Sequence, residues 1–367
     1  MIRRTVCVAL LALAVVSCRT APNQLDEDQA PRTRYAGQAG ESPVGVIPEG
    51  TVRDAERGKD VVFTVEYPTR PGSYPLIVFS HGFGATRQAY VGLSSHWASQ
   101  GYVVIKPAHS DSGKVQAGAA ADAWRDQTPA DWRNRVRDVT AILDGLDKIE
   151  ESYPELKGKI DRTKIGVGGH SYGAFTAMLL GGAKTYPGAT SYADPRVKAI
   201  VVMSPQGPGD SFGLTNDSFR EIHIPTLFMT GTLDRGLAEN ETPEWRRQAY
   251  ELAPAGDKWL VVIEGARHLS FVGRIDPSTE AMREPLDPKF GDPTAAPEPR
   301  TGGVPREQYD PRRPGRESTA GLRVRGMFAD IKAISLAFFD TYLRNEAEGR
   351  TALEGAGGRG GVELVKK

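Results

Sequence analysis

Gly169-His170-Ser171-Tyr172-Gly173 is the stretch in which a hydroxyl could do covalent chemistry. A serine oxygen is a weak nucleophile until a neighbouring base takes its proton during attack, so the chemistry in view is acyl transfer. In a chain with 41 glycines the string Gly-x-Ser-x-Gly carries little weight by itself. Its flanks carry more. Strand-like Ile165-Gly166-Val167 precedes it and helix-like Ala174-Phe175-Thr176-Ala177-Met178-Leu179-Leu180 follows, the strand, turn and helix order of a nucleophile elbow. There the free N–H groups and partial positive charge of the helix start would face a developing oxyanion. The bland alternative is a glycine-rich turn with no chemistry.

Six histidines are available as the base. An elbow of this kind is followed in chain order by the acid and then the histidine, and only His268 comes late enough. His96 is expected on a helix surface, and His170 beside the serine should point its ring away from the hydroxyl. His81 and His109 fall in loops after strands, and His223 precedes one. A neutral imidazole near pH 7 can accept the serine proton and return it to a leaving group. The acid should end the strand between the two, and Thr226-Leu227-Phe228-Met229-Thr230-Gly231-Thr232-Leu233-Asp234 offers Asp234. A carboxylate there would fix the imidazole tautomer without itself taking the proton. Asp210 and Asp257 compete, though neither follows a strand so directly. Two backbone donors should meet the oxyanion. One is the N–H of Tyr172. The other falls in Ser80-His81-Gly82-Phe83-Gly84, where Phe83 is favoured and Gly82 is the near alternative.

The elements that must hold these residues are short apolar runs separated by amphipathic helices. Residues 61–65, 76–79, 102–105, 165–167, 199–203, 226–229 and 260–263 read as strands, most of them buried on both faces. Helical spacing marks residues 88–100, 131–150, a segment opening near 173, 243–252 and 327–344. Such alternation predicts a mostly parallel, doubly wound sheet with helices on both faces. Residues 107–130 and 272–325 break the alternation, and disorder is expected for most of 280–320.

The first residues suggest export. Met1-Ile2-Arg3-Arg4 is a positive start, and the apolar run to Val16 is too short to span a bilayer. Val15-Val16-Ser17-Cys18 resembles a bacterial lipobox, which predicts lipidation of Cys18 and a place at the cell envelope, held to a membrane by the anchor. The alternative is a plain secretory signal. The expected organisation is a signal over 1–18, a tether over 19–50, one catalytic domain over 51–350 with an irregular insertion at 272–325, and a tail over 351–367. Cys7 and Cys18 are the only cysteines, so no disulfide or cysteine zinc site is expected in the mature domain. Lysine plus arginine equals aspartate plus glutamate at 46 each, which gives no global basic field for nucleic acid.

With these residues in place, the chain resembles α/β-hydrolases grouped around platelet-activating-factor acetylhydrolases and dienelactone-hydrolase-like esterases. Pro75 through Ala85, Arg135-Val136-Arg137-Asp138-Val139 and Gly169 through Gly173 carry the likeness. The resemblance implies the α/β-hydrolase fold, a triad at the positions matching Ser171, Asp234 and His268, an ester substrate, and neither cofactor nor metal. Dienelactone hydrolases themselves use cysteine where this chain has Ser171. The chain is also similar to bacterial cutinases and polyester hydrolases, through Pro225-Thr226, Asp234 and Gly265-Ala266-Arg267-His268, but lacks the cysteines for their C-terminal disulfide. Gly-His-Ser-Tyr-Gly further resembles the elbow of prolyl-oligopeptidase-type peptidases, which usually carry a propeller domain. Short-chain ester hydrolysis is the leading expectation, with a peptidase and a non-catalytic tethered binding protein as the alternatives.

Overall fold

The apolar runs become the centre of a nine-stranded sheet. A computed structural model of the chain describes residues 34–113, 128–209, 212–236, 240–273 and 319–367. The strands are β1 (Val44–Asp54), β2 (Lys59–Pro68), β3 (Tyr74–Ser80), β4 (Val103–Pro107), β5 (Ile160–His170), the two-residue pair β6 (Lys184–Thr185) and β7 (Thr190–Ser191), β8 (Val197–Met203), β9 (Thr226–Leu233), β10 (Lys258–Arg267) and β11 (Val362–Lys366). The main sheet runs β1-β2-β4-β3-β5-β8-β9-β10-β11. Its five central pairings, from β4–β3 to β9–β10, are parallel, while β1–β2, β2–β4 and β10–β11 are antiparallel. This mostly parallel sheet, layered by helices, is the α/β-hydrolase fold.

Helices α1 (Val91–Ser99), α2 (Pro129–Asp144), α3 (Leu146–Ser152), α4 (Tyr172–Leu180), α5 (Pro243–Leu252), α6 (Thr319–Leu343) and α7 (Ala347–Glu354) cover it. Alternate strand residues serve opposite layers, as a period of two requires. Ile165, Val167 and Val202 pack with Val139, Phe175 and Tyr250 on one side. Val201, Met203 and Phe79 pack with Trp97, Ile334 and Phe339 on the other. Parallel strands point their carboxyl ends to one edge, so β3, β5, β9 and β10 deliver Ser80, His170, Leu233 and Arg267 together. Chemistry in such sheets gathers at that edge.

Several boundaries differ from those read in the sequence. The tether expected to reach residue 50 enters the fold at Arg34, whose guanidinium pairs with buried Asp340 (2.8 Å). Strand β1 then begins at Val44, with Ile47 and Val52 buried. A register break between Ile47 and Gly50 interrupts the alternation that would have marked it. The expected helix over 131–150 is two, α2 and α3, separated at Gly145, where a Cβ would lie 2.2 Å from Val52 Cγ2. Residues 351–367, expected as a tail, pack onto the fold. They finish α7 and add β11 antiparallel to β10, burying Leu353, Ala356 and Val362. Helix α6 opens at Thr319, inside the stretch read as irregular. Cys18 and most of 272–325 lie outside the described residues. Among the described residues no helix is long and apolar enough to cross a membrane.

Asp340 on α6 fastens the amino-terminal segment. Its fully buried carboxylate accepts from Tyr102 Oη (2.7 Å), Tyr35 Oη (3.0 Å), Arg34 Nε (2.8 Å) and Arg344 Nη1 (3.2 Å). Replacing it removes an acceptor that two hydroxyls and two guanidiniums share. Asp340→Ala should therefore lower the urea-unfolding free energy by about 3 kcal/mol. A change below about 1 kcal/mol would show that the cluster contributes little.

Candidate active site

Ser171 sits between β5 and α4 with φ 54° and ψ −118°, a conformation that side-chain-bearing residues rarely adopt. The neighbouring glycines allow it. A Cβ on Gly169 would lie 2.1 Å from the Gly173 carbonyl oxygen, and one on Gly173 would lie 1.9 Å from that of Ser80. Strand, turn and helix thus meet too closely for any side chain at either position. The Ser171 N–H is anchored on the Met203 carbonyl at 2.9 Å.

Asp234 and His268 meet at the same edge. Asp234 is fully buried at the end of β9, and its Oδ1 lies 2.8 Å from His268 Nδ1. Thr230 Oγ1 donates to Oδ2 at 2.8 Å, and Arg246 Nε on α5 lies 3.1 Å from Oδ1. Burial pushes this carboxyl upward, but the Arg246 charge and the His268 contact outweigh it and hold it well below the usual carboxylate range. A neutral His268 donates Nδ1–H to the carboxylate, which leaves Nε2 as the basic nitrogen. Gly231 lets β9 pass tightly beneath, since a Cβ there would lie 2.2 Å from the Ala266 carbonyl oxygen.

His170 joins this pair to the oxyanion loop. Its Nε2 lies 2.9 Å from the His268 carbonyl oxygen, which can only accept, so Nε2 carries the hydrogen. Nδ1 then accepts from Tyr90 Oη (2.8 Å), and Tyr90 Oη accepts from the Gly82 N–H (3.1 Å). A directed chain runs from the loop amide to the backbone of His268. Burial first, then the neighbouring His268, holds His170 well below the ordinary imidazole range, consistent with that neutral tautomer. The Gly82 amide is thereby committed, and the Gly84 amide donates to Asp111 Oδ2 (2.9 Å). Phe83 lies between these two amides in the chain. Tyr172, the other expected donor, is fully buried and stacks edge-on against the Phe83 ring at 6.0 Å.

The rival residues are accounted for by position. Asp257 opens β10, at the far end of that strand, and accepts from Tyr342 Oη (2.8 Å). Asp210 lies outside the described residues. His223 is exposed beside Glu221. His96 is buried, not on the helix surface as expected, because α1 is covered on that side by α6; burial and nearby Lys332 lower it to about 4. Ser80, His109 and Asp138 form a second hydroxyl–imidazole–carboxylate series, with Ser80 Oγ 2.8 Å from His109 Nε2 and His109 Nδ1 2.9 Å from Asp138 Oδ2. All three side chains are closed to solvent, so no ester reaches them. They brace the loop instead. Sequence reasoning singled out neither this series nor Tyr90, Arg246 or Asp111. Only the run Arg135 to Val139, which holds Asp138, hinted at it. Among the described residues no cluster of ligand-type side chains could hold a metal ion.

A sequence model of the family "Platelet-activating factor acetylhydrolase, isoform II" matches residues 59–141. The platelet-activating factor acetylhydrolase of Cavia porcellus is 25% identical over 236 residues, covering 56% of this chain and 50% of its own length. That of Canis lupus familiaris is 30% identical over 149 residues, 30% of this chain and 33% of its own. Chlorophyllase-1 of Arabidopsis thaliana is 31% identical over 75 residues, 20% and 23% respectively. The chain spans half, or less, of the length of these curated relatives. The resemblance to this esterase group is thus found in the sequence comparisons as well as in the motifs.

The buried histidines set an acid limit. His81, His96, His109 and His170 are all lowered, chiefly by burial. Each binds a proton in the unfolded chain below about pH 6.5 but stays neutral in the fold, so unfolding takes up protons and stability falls with falling pH. All four add to that loss as the pH falls below about 6.5. Depressed Asp111, Asp138 and Asp234 add a second loss below about pH 4. Urea midpoints measured from pH 8 to pH 3 should be flat to about pH 6.5 and then drop. A flat profile to pH 5 would contradict the buried neutral imidazoles.

Proposed function

We propose that this chain is a serine carboxylic-ester hydrolase that works through an acyl-enzyme. The observation that carries the reading is the Asp234–His268 contact held, through His170, against a strained elbow bearing Ser171. Ser171 Oγ attacks the ester carbonyl carbon as His268 Nε2 takes the hydroxyl proton. The carbonyl oxygen becomes negative between the N–H groups of Phe83 and Tyr172. The tetrahedral intermediate collapses, the carbon–oxygen bond to the alcohol breaks, and His268 returns its proton to that leaving oxygen. Water then repeats the sequence on the acyl-enzyme and releases the carboxylic acid. Asp234, kept ionised by Arg246, holds the ring's tautomer and stabilises the imidazolium.

Short acyl groups suit the surroundings. Beside the elbow, Tyr172, Phe175 and Phe212 pack ring to ring with centroids 5.2–6.3 Å apart, and Trp132 lies 5.5 Å from Phe175. That aromatic block leaves little depth for a long chain on its side. The relatives named for acetylhydrolase activity support an acetyl-sized acyl group. The lipobox-like end at Cys18 supports export as a lipoprotein at the cell envelope, where esters of lipids would be at hand.

Purified protein should turn over p-nitrophenyl acetate faster than longer acyl esters, and Ser171→Ala should abolish it. Asp234→Asn should lower kcat on the order of 10⁴-fold. A fluorophosphonate probe should label the wild type but neither Ser171→Ala nor His268→Ala. Turnover that survives Ser171→Ala would refute the assignment. Labelling of cells with a palmitate analogue, lost in Cys18→Ala, tests the anchor separately.

A further inference from the structure

We infer that Arg135, paired with Asp111, is a positioning residue that aims both donors of the oxyanion hole. The inference rests on the ester-hydrolase reading above and adds a residue to it. Arg135 is fully buried on α2, although nothing in a hydrophobic layer requires a guanidinium there. Its donors go to the oxyanion loop. Nη1 donates to the His81 carbonyl oxygen (2.8 Å), and Nη2 lies 3.4 Å from the Gly82 carbonyl oxygen, which also accepts from His81 Nδ1 at 2.7 Å. Nε and Nη2 also donate to Asp111 Oδ1 (3.0 Å) and Oδ2 (2.7 Å), a bidentate pair.

The geometry of the peptide unit makes this consequential. The Gly82 carbonyl and the Phe83 N–H belong to one planar trans unit, so they point in opposite directions. Held on one side by the His81 imidazole and the guanidinium that grips the His81 backbone, the carbonyl aims the N–H to the other. Asp111 takes the Gly84 N–H at 2.9 Å, which fixes the next unit as well. The Phe83 peptide is gripped before and after by the two halves of one ion pair. The same guanidinium lies over the Tyr172 ring, with Cζ 4.2 Å from its centroid. Tyr172 supplies the second expected donor, so one cation touches the supports of both.

A pre-aimed hole lowers the barrier for the transition state without strengthening substrate binding in proportion. Lysine offers a point charge and cannot hold two carbonyls and a carboxylate in one plane. With p-nitrophenyl acetate, Arg135→Lys should lower kcat tenfold or more while KM stays within threefold. Methylguanidine should restore part of the activity of Arg135→Ala. The inhibition constant of a phenylboronic acid, whose tetrahedral adduct places an oxygen in the hole, should rise with the loss in kcat/KM. The acid limb of the kcat/KM profile, which reports the base, should stay where it is in the wild type. Asp111→Asn, which leaves the grip on the two carbonyls, should give a smaller fall of the same kind.

Folded Arg135 variants with kcat within threefold of the wild type would overturn the inference. A shifted acid limb would do the same, since the arginine would then act on the whole site. If no variant at 135 or 111 folds, the pair serves the core and the inference is wrong as stated. Wild-type protein without Ser171-dependent turnover would instead sink the hydrolase reading itself, and these outcomes are distinct.

Discussion

The structure depends on how closely backbone approaches backbone at the elbow. Ser171 can hold a positive φ because β5 and α4 press together at Gly169 and Gly173, and because Gly173 also rests on the end of β3. That last contact matters beyond the turn. The Ser80 carbonyl against which Gly173 packs directly precedes the loop His81-Gly82-Phe83-Gly84. The closeness that strains the serine therefore also brings the oxyanion loop beside it. Strain of this kind persists only where surrounding contacts over-determine it. Here those contacts are backbone on backbone, with no flexible side chain to yield.

Two buried arginines flank the elbow and solve one problem twice. Strands that end at a catalytic edge leave carbonyls without ladder partners, and buried carbonyls must be satisfied. Arg246 donates to the carbonyls of Ser204 (2.9 Å), Pro205 (3.2 Å) and Asp234 (3.3 Å), at the ends of β8 and β9. Arg135 does the same for His81 and Gly82 beyond β3. Each cation is offset by a carboxylate that carries a second duty: Asp234 holds His268, and Asp111 takes a loop amide. A buried charge is tolerated only when paired and fully hydrogen-bonded. Because structural and chemical partners are the same groups, each ion pair stabilises the edge and places the reactive atoms together.

Much of this was legible in the sequence, and the boundary of what was legible has a physical cause. Parallel strands buried on both faces appear as continuous apolar runs, so β3, β4, β5, β8, β9 and β10 could be located and ordered. The elbow was legible because strand, glycine turn and helix are adjacent in the chain. Strand β1 was hidden by its bulge, and β11 by the glycines of residues 355–361 before it. The supporting shell was hidden for a different reason. Tyr90, His170 and His268, or Arg135, Asp111 and Gly84, are brought together by tertiary packing, and no local period relates them. His96 was misplaced because a polar residue on a short helix reads as exposed unless the covering helix, over 200 residues later, is known.

The region matched by the family model sharpens what the resemblance consists of. Residues 59–141 contain neither Ser171 nor Asp234 nor His268. They contain Ser80, His81, Tyr90, His109, Asp111, Arg135 and Asp138, which together form the polar support of the oxyanion loop. In such a network removing one member leaves the others buried and unsatisfied, so its members tolerate replacement only as a set. Ser–acid–His order is available to any protein of this fold and says little about which ester is cleaved. A braced loop of this composition is a narrower feature. It fixes the peptides on either side of Phe83, beside the elbow.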